Sequence, residues 1–469
     1  MTIPATVHQL PYRDTRYLDA LAARVLIFDG AMGTNIQRYN LTADDFGGKS
    51  LEGCNDHLVL TRPDVIQAIH ESFLAVGCDV VETCTFQSTP RRLEEWGLGD
   101  KVREINVAAA RIARAACEKF ATPDRPRFVA GSIGPTGMLP SSSDAVLSNI
   151  TFAELSENYY TQAKYLIEGG VDVLLVETSQ DILEVKAALA GFDRVFTELG
   201  FRIPVQAQVT LDTSGRMLLG TDIASAMTTI ESLDVDVLGL NCSTGPEHMR
   251  EPVRYLAQHA SRPISVIPNA GLPINTGVGE AVYPLEPEPM AAALAEFVRD
   301  FGVRIVGGCC GTRPEHLSAI VESVRKLEGT GNGEPGTGTR RDASLSRERP
   351  PRGSYGSRFP VPGSRFATRT GASCVSVRCP STMTSSPGFT GISPVDESGS
   401  TSVSIPLERP GLMYVHCARP LLTMNTSGRP SRSITARAGT RRRLVRRFAS
   451  SRTSAYMPGR SAVFPGTRT

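Results

Sequence analysis

The sequence predicts an α/β fold, a TIM (β/α)8 barrel followed by a disordered, low-complexity basic tail, and three observations carry the prediction. Eight short apolar runs rich in β-branched residues recur between positions 25 and 326. Each is continuous rather than alternating, as strands buried on both faces of a parallel sheet are. Longer stretches of helical period separate them, and eight such units in about 300 residues suit a barrel better than a smaller sheet.

In order, the runs are "VLIFDG" (25–30), "DVVETCTF" (79–86), "RFVAGSIGP" (127–135), "VDVLLVET" (171–178), "PVQAQVTL" (204–211), "VDVLGLNC" (235–242), "PISVIPNAG" (263–271) and "VRIVGGCCG" (303–311). Helices are expected between them, among others over 62–77, 151–170, 288–302 and 313–329. These four stretches contain or end in a Gly suited to a helix C-cap, and three carry Pro near the first turn. An open doubly wound sheet is the competing architecture. It is disfavoured because no Gly-rich dinucleotide fingerprint follows the first run.

Charge divides the chain. Of 50 basic and 48 acidic residues, 22 arginines and 6 acids fall after position 330, and no lysine follows Lys326. An acidic domain (1–330) is therefore expected to precede a basic segment (331–469) rich in Arg, Ser, Pro and Gly. That segment has too few apolar residues to offset ordering entropy, so disorder is expected there. "RRRLVRR" (441–447) has the form of a patch for nucleic acid or anionic lipid. Abundant arginine with no lysine is, however, what a GC-rich coding region gives when translated out of frame. A frameshift soon after Glu328 accounts for it more simply, and no nucleic-acid partner is expected.

No run of eighteen apolar residues and no secretory leader pattern is present, so neither a membrane span nor export is indicated. Ten cysteines without a regular framework fit a reducing compartment, and a cytoplasmic protein is expected.

Chemistry concentrates at three thiols. Cys309 and Cys310 are neighbours, about 3.8 Å apart at Cα where a disulfide prefers about 5.5 Å, so they serve a third party better than each other. Barrel strands converge at their C-terminal ends, which brings Cys242 of the sixth run to the same mouth. Three ligands and an open position is the arrangement of catalytic zinc. Glycines at 307, 308 and 311 are expected to relax the backbone so that both cysteines face the ion. Three thiolates outweigh the charge of Zn²⁺, which makes the ion a poor acid for water but a good holder of a substrate thiolate. Thiol alkylation follows. Cys54, Cys78 and Cys117 read instead as small buried hydrophobes. His57, His70, His248 and His316 read as surface or satisfied core residues, "GSIGPTG" (131–137) as a strand-to-loop turn, and "DTSGRMLLG" (212–220) as a turn with Gly215 suited to the left-handed region.

"FDGAMGTNIQ", "GCNDHLVLTRPDVI", "VETCTF", "LLVETSQD", "GLNCSTGPEHM", "PNAGLP" and "VGGCCGTRPEH" occur in this order over about 15–328. Together they resemble the homocysteine-binding barrel of cobalamin-dependent methionine synthases, within the wider homocysteine methyltransferase family. The resemblance implies Zn²⁺ on Cys242, Cys309 and Cys310, with the homocysteine sulfur as fourth ligand. It implies Asp29 and Glu177 as partners of the substrate ammonium, which fits an amino-acid ligand in a partly desolvated mouth. Backbone amides of Gly30 and Ala31 are expected to take the substrate carboxylate. Thr83 is a weaker candidate for substrate contact, and Asn241 is expected to support or transiently occupy the open metal position. The implied donor is methylcobalamin on another domain or chain, because no cobalamin domain is recognisable after 331. Alternatives are a free sulfonium donor such as S-methylmethionine, or a silent remnant that binds zinc or homocysteine without turnover. One departure is Cys84, where the cobalamin-dependent enzymes usually carry Asn.

Overall fold

The computed structural model describes residues 10–274 and 281–329. The expected disordered tail, its frameshift origin and the boundary at 330 lie outside the described residues. All eight expected strands form: β1 Leu26–Ile27, β2 Val80–Glu82, β3 Phe128–Ile133, β4 Val173–Ser179, β5 Val205–Val209, β6 Val237–Asn241, β7 Ile264–Ile267 and β8 Ile305–Val306. They run parallel in the order β1-β8-β7-β6-β5-β4-β3-β2. A parallel bridge between Phe28 and Val80 joins the two ends of that row. The result is a (β/α)8 barrel.

Twelve α-helices accompany the strands among the described residues: α1 Arg16–Ala23, α2 Met32–Gln37, α3 Leu58–Thr61, α4 Pro63–Ala75, α5 Pro90–Glu94, α6 Val102–Phe120, α7 Phe152–Gly169, α8 Ile182–Leu199, α9 Ile223–Glu231, α10 Pro246–His259, α11 Pro287–Phe301 and α12 Pro314–Gly329. Their ends follow the local chemistry. A reciprocal capping box between Thr151 and Glu154 starts α7, and Gly170 at φ +97° ends it. Gly215 stands at φ +74° in the turn after β5, as expected.

The apolar residues sort into two layers. One lies inside the barrel and includes Leu26, Phe28, Phe128, Leu175 and Ile305. The larger one fills the space between strands and helices. Helix α1, which the sequence reading did not place, closes the barrel floor. Its Tyr17 packs edge-on against Phe128 at 5.4 Å and donates a hydrogen bond to Gln206 at 3.0 Å. Eight residues are too few to show helical period or to be stable alone, so this element depends on tertiary packing.

A repeated device sets the strand register on that floor. Asp79, Asp172 and Asp236 immediately precede or nearly precede β2, β4 and β6. The amide of each donates to the carbonyl of the preceding strand, at Ile27 (2.7 Å), Val129 (2.8 Å) and Val205 (2.9 Å). Each carboxylate in return accepts the amide of that same residue, at 3.1, 2.7 and 2.9 Å. Before β8 the corresponding residue is Arg304, whose guanidinium caps the carbonyls of Leu21 and Ala22 at the end of α1. The device is visible in sequence as "CDVV", "VDVL", "VDVL" and "VRIV".

Replacing Asp172 by Ala removes a charge-assisted bond to a strand amide and unpairs Arg114. Unfolding in urea is expected to show a loss of about 2–4 kcal/mol. A second prediction concerns His70 on α4, which is fully buried with both ring nitrogens lacking a hydrogen-bond partner. Burial pulls its pKa down from 6.5 to about 4. The unfolded chain therefore takes up a proton near pH 6.5 that the folded chain refuses until about pH 4, and stability falls as pH drops through that window. Relative to the parent, His70→Leu should gain about 3 kcal/mol in unfolding free energy between pH 7 and pH 4. A pH-independent difference would contradict this.

Candidate metal centre and substrate mouth

Cys242 directly follows β6, and Cys309 and Cys310 lie in the turn after β8. Their sulfurs lie within 4.8 Å of one another, at 3.7 Å for Cys242 to Cys310 and 4.0 Å for Cys309 to Cys310. A tetrahedral zinc at about 2.3 Å from each sulfur sets them about 3.8 Å apart, so the donor set fits that ion in kind and spacing. They form the one cluster of its kind among the described residues. Hydrogen bonds from the thiols of Cys242 and Cys309 hold Cys310 well below its ordinary pKa, whereas Cys309 is held well above.

Local backbone geometry aims these side chains. Cys242 and Ser243 have φ of +58° and +63°, a conformation that opposes an L residue by about 1–2 kcal/mol. Hydrogen bonds from the Cys242 amide to Ile267 (3.1 Å) and from the Thr244 amide to Cys242 (2.7 Å) hold it there. Of the three glycines beside Cys309 and Cys310, only Gly311 lies at positive φ, +80°. Gly307 and Gly308 are needed for a different reason. A Cβ there would stand 2.7 Å from Phe28 and 2.5 Å from Thr312.

The turn is laced to its neighbours on both sides. Asn269 accepts the Cys310 amide at 3.1 Å, and the Cys309 amide reaches Pro268 at 2.8 Å. From the β1 side, Thr34 accepts the Gly311 amide (3.0 Å) and Asn35 donates to the Thr312 carbonyl (3.1 Å). Tyr283 lays its ring on Gly311. Its pKa is raised by burial and by the nearby negative charge of Cys310 and Cys242.

Across the mouth are the expected acids. Asp29 is buried, and both its oxygens accept the amide of Glu82, at 3.2 and 3.1 Å. Glu177 projects beside an irregularity in the β4–β5 register where Thr178 adopts φ +57°. Its carboxylate accepts from Ser132 at 2.6 Å and from Asn241 at 3.0 Å. Burial, and then the neighbouring Cys242, push Glu177 up to about 7, against the hydrogen bond from Ser132. Asp29 is likewise raised by burial.

Other expected contacts are already engaged. Asn241 donates to Thr178 and Glu177 and accepts the Thr178 amide, so its amide group orients Glu177. Thr83 shares a 2.6 Å hydrogen bond with Thr85 and accepts the Ser132 amide. The Ala31 amide donates to Thr312 at 3.1 Å, while Gly30 packs against Phe73, Thr312 and Leu317.

Glu82 is the acid the sequence reading missed. Half-buried between Asp29 and Glu177, it is raised by burial and by both those charges. A repeat could have revealed it, since "VET" occurs at 81–83 and again at 176–178. Cys84 is buried in the layer between strands and helices, with its thiol toward the Asn55 carbonyl at 3.5 Å. Cys54, Cys78 and Cys117 are buried as expected, and the described residues form no disulfide. His57 and His316 have backbone partners, at Phe46 and Leu285, and His248 is half-buried; His70 departs from the expectation of a satisfied core residue.

The chain is 45% identical to methionine synthase of Mycobacterium tuberculosis over 315 residues, which is 67% of this chain and 26% of that protein. It is 45% identical to methionine synthase of Mycobacterium leprae over 313 residues. It therefore spans about a quarter of the length of these relatives. The homocysteine methyltransferase MmuM of Escherichia coli, in its oxidized form, shares the fold with a TM-score of 0.53 at 20% identity, covering 65% of this chain and 98% of that one. The metallated form gives 0.52 at 21%. The homocysteine S-methyltransferase family matches residues 26–324, and on that match, with the relatives above, the chain belongs to this family.

Proposed function

We propose that the barrel, residues 1–330, is a zinc-dependent homocysteine S-methyltransferase module of the methionine synthase type, acting in the cytoplasm. The observation that carries the reading is the sulfur triad at a mouth that also presents buried carboxyl groups. Cys242, Cys309 and Cys310 would hold zinc. The ion would supply a fourth position that keeps the homocysteine sulfur as a thiolate at neutral pH.

The chain's own residues orient the substrate. Asp29 and Glu177, with Glu82 between them, offer carboxyl groups whose raised pKa values make the cavity receptive to one ammonium group. Ser132 and Asn241 fix Glu177 so that its oxygens need not reorganise on binding. The amides of Gly30 and Ala31 would receive the substrate carboxylate, Thr312 releasing the Ala31 amide, and Thr83 would line the same pocket. The substrate sulfur then attacks the methyl carbon. A carbon–sulfur bond forms, the bond to the donor breaks with its electron pair remaining on the donor, and methionine leaves.

Methylcobalamin, carried by another domain or chain, is the donor this reading favours over a free sulfonium compound. Exposed apolar side chains lie on connections that leave the C-terminal ends of β1, β3, β5 and β7: Tyr39, Val146, Leu218, Leu272, Ile274 and Val282. A rim of this kind suits a protein-borne donor better than a small polar one. No described helix is long and apolar enough to cross a membrane.

The zinc-loaded chain should form methionine from homocysteine and methylcobalamin, and Cys309→Ser should abolish turnover. Product with S-methylmethionine but not with methylcobalamin would move the reading to a sulfonium donor. No product with either would move it to a silent remnant. Glu177→Gln is expected to raise KM for homocysteine about tenfold to a hundredfold with zinc content unchanged.

A further inference from the structure

The barrel floor has a corner where positive charge exceeds what the fold requires. At two of the three strand-start aspartates a single arginine forms the ion pair: Arg114 with Asp172, and Arg202 with Asp236, the latter also meeting Asp234. Asp79, which is fully buried, meets four. Arg24 stands at 3.2 Å, Arg125 at 3.4 Å, Arg127 at 3.1 Å, and Arg325 contacts the other oxygen. One further acid, Glu328, pairs with Arg325 at 2.8 Å. Among the described residues, four guanidiniums thus pair with two carboxylates.

The donors are also undersupplied. Asp79 already accepts the Ile27 amide, so five groups converge on one carboxylate. The Nε atoms of Arg24, Arg127 and Arg325 are buried and have no acceptor among the described residues. Arg125 and Arg24 crowd Arg127 enough to add to the burial that lowers its pKa. Yet the corner is open to solvent, since the Arg125 side chain is 37% exposed and that of Arg24 20%.

We propose that this corner, formed by Arg24, Arg125, Arg127 and Arg325 around Asp79, binds a phosphate-class oxyanion on the face opposite the thiol mouth. Forked guanidinium donors match tetrahedral oxyanions, and two net positive charges suit a dianion. Free phosphate and a phosphate monoester share this chemistry.

The test uses the full chain and isothermal titration with inorganic phosphate, against chloride at matched ionic strength. One saturable phosphate should bind in the parent and equally in Cys309→Ser, which separates this corner from the mouth. Arg125→Gln and Arg24→Gln each leave Asp79 three guanidinium partners, and each should weaken binding about tenfold. Repeating the titration with glycerol phosphate distinguishes the sources: tighter binding assigns a monoester, and weaker binding assigns free phosphate. The proposal is overturned if phosphate and chloride act alike, if neither arginine variant changes the affinity, or if Cys309→Ser abolishes binding.

Discussion

The sulfur triad depends on where the barrel closes. Cys309 and Cys310 sit in the turn after the last strand, and that turn is held from one side by the residues just after β7 and from the other by the turn after the first strand. Asn269 takes the Cys310 amide, while Thr34, Asn35 and the Ala31–Thr312 bond tie "GAMGTN" to "CCGT". Gly308 donates to the Asp29 carbonyl at 3.1 Å, so the same seam that places two thiols also places one of the acids. Closure and site assembly are one event. A substitution that loosened the seam would disperse the three thiols and the Asp29 carboxylate together.

The mouth and the floor solve opposite electrostatic problems. At the mouth, the carboxyl groups of Asp29, Glu82 and Glu177 have no cationic partner among the described residues, and burial raises their pKa values. Such a cavity favours a cation that arrives with the substrate. On the floor, each strand-start aspartate is paired with arginine and also bonded to a strand amide. Those carboxylates stay fixed and serve the register. The floor acids are neutralised by arginines, whereas the mouth acids have no such partner among the described residues.

Much of this was legible in sequence, for a physical reason. Parallel strands buried on both faces leave continuous apolar runs, so all eight were visible as runs such as "VDVLLVET" and "VDVLGLNC". Their C-terminal ends must converge, and this pointed to Cys242 joining Cys309 and Cys310 across 67 positions. What escaped the reading depends on partners distant in the chain. Helix α1 is recognisable only once Tyr17 meets Phe128 and Gln206. Glu82 acquires meaning only between Asp29 and Glu177, and Asn269 only against the Cys310 amide. The glycines were assigned to backbone freedom, but two of them are needed because Phe28 and Thr312 leave no room for a Cβ.

In the proposed function, Cys242, Cys309 and Cys310 hold zinc and leave one position for the substrate sulfur. Zinc K-edge X-ray absorption on the purified metal-loaded chain, before and after homocysteine is added, counts those sulfurs directly. The account predicts three sulfur ligands at about 2.3 Å and one lighter ligand without substrate, becoming four sulfurs with it. A site already closed by four protein ligands, or a sulfur count that homocysteine leaves unchanged, would contradict it.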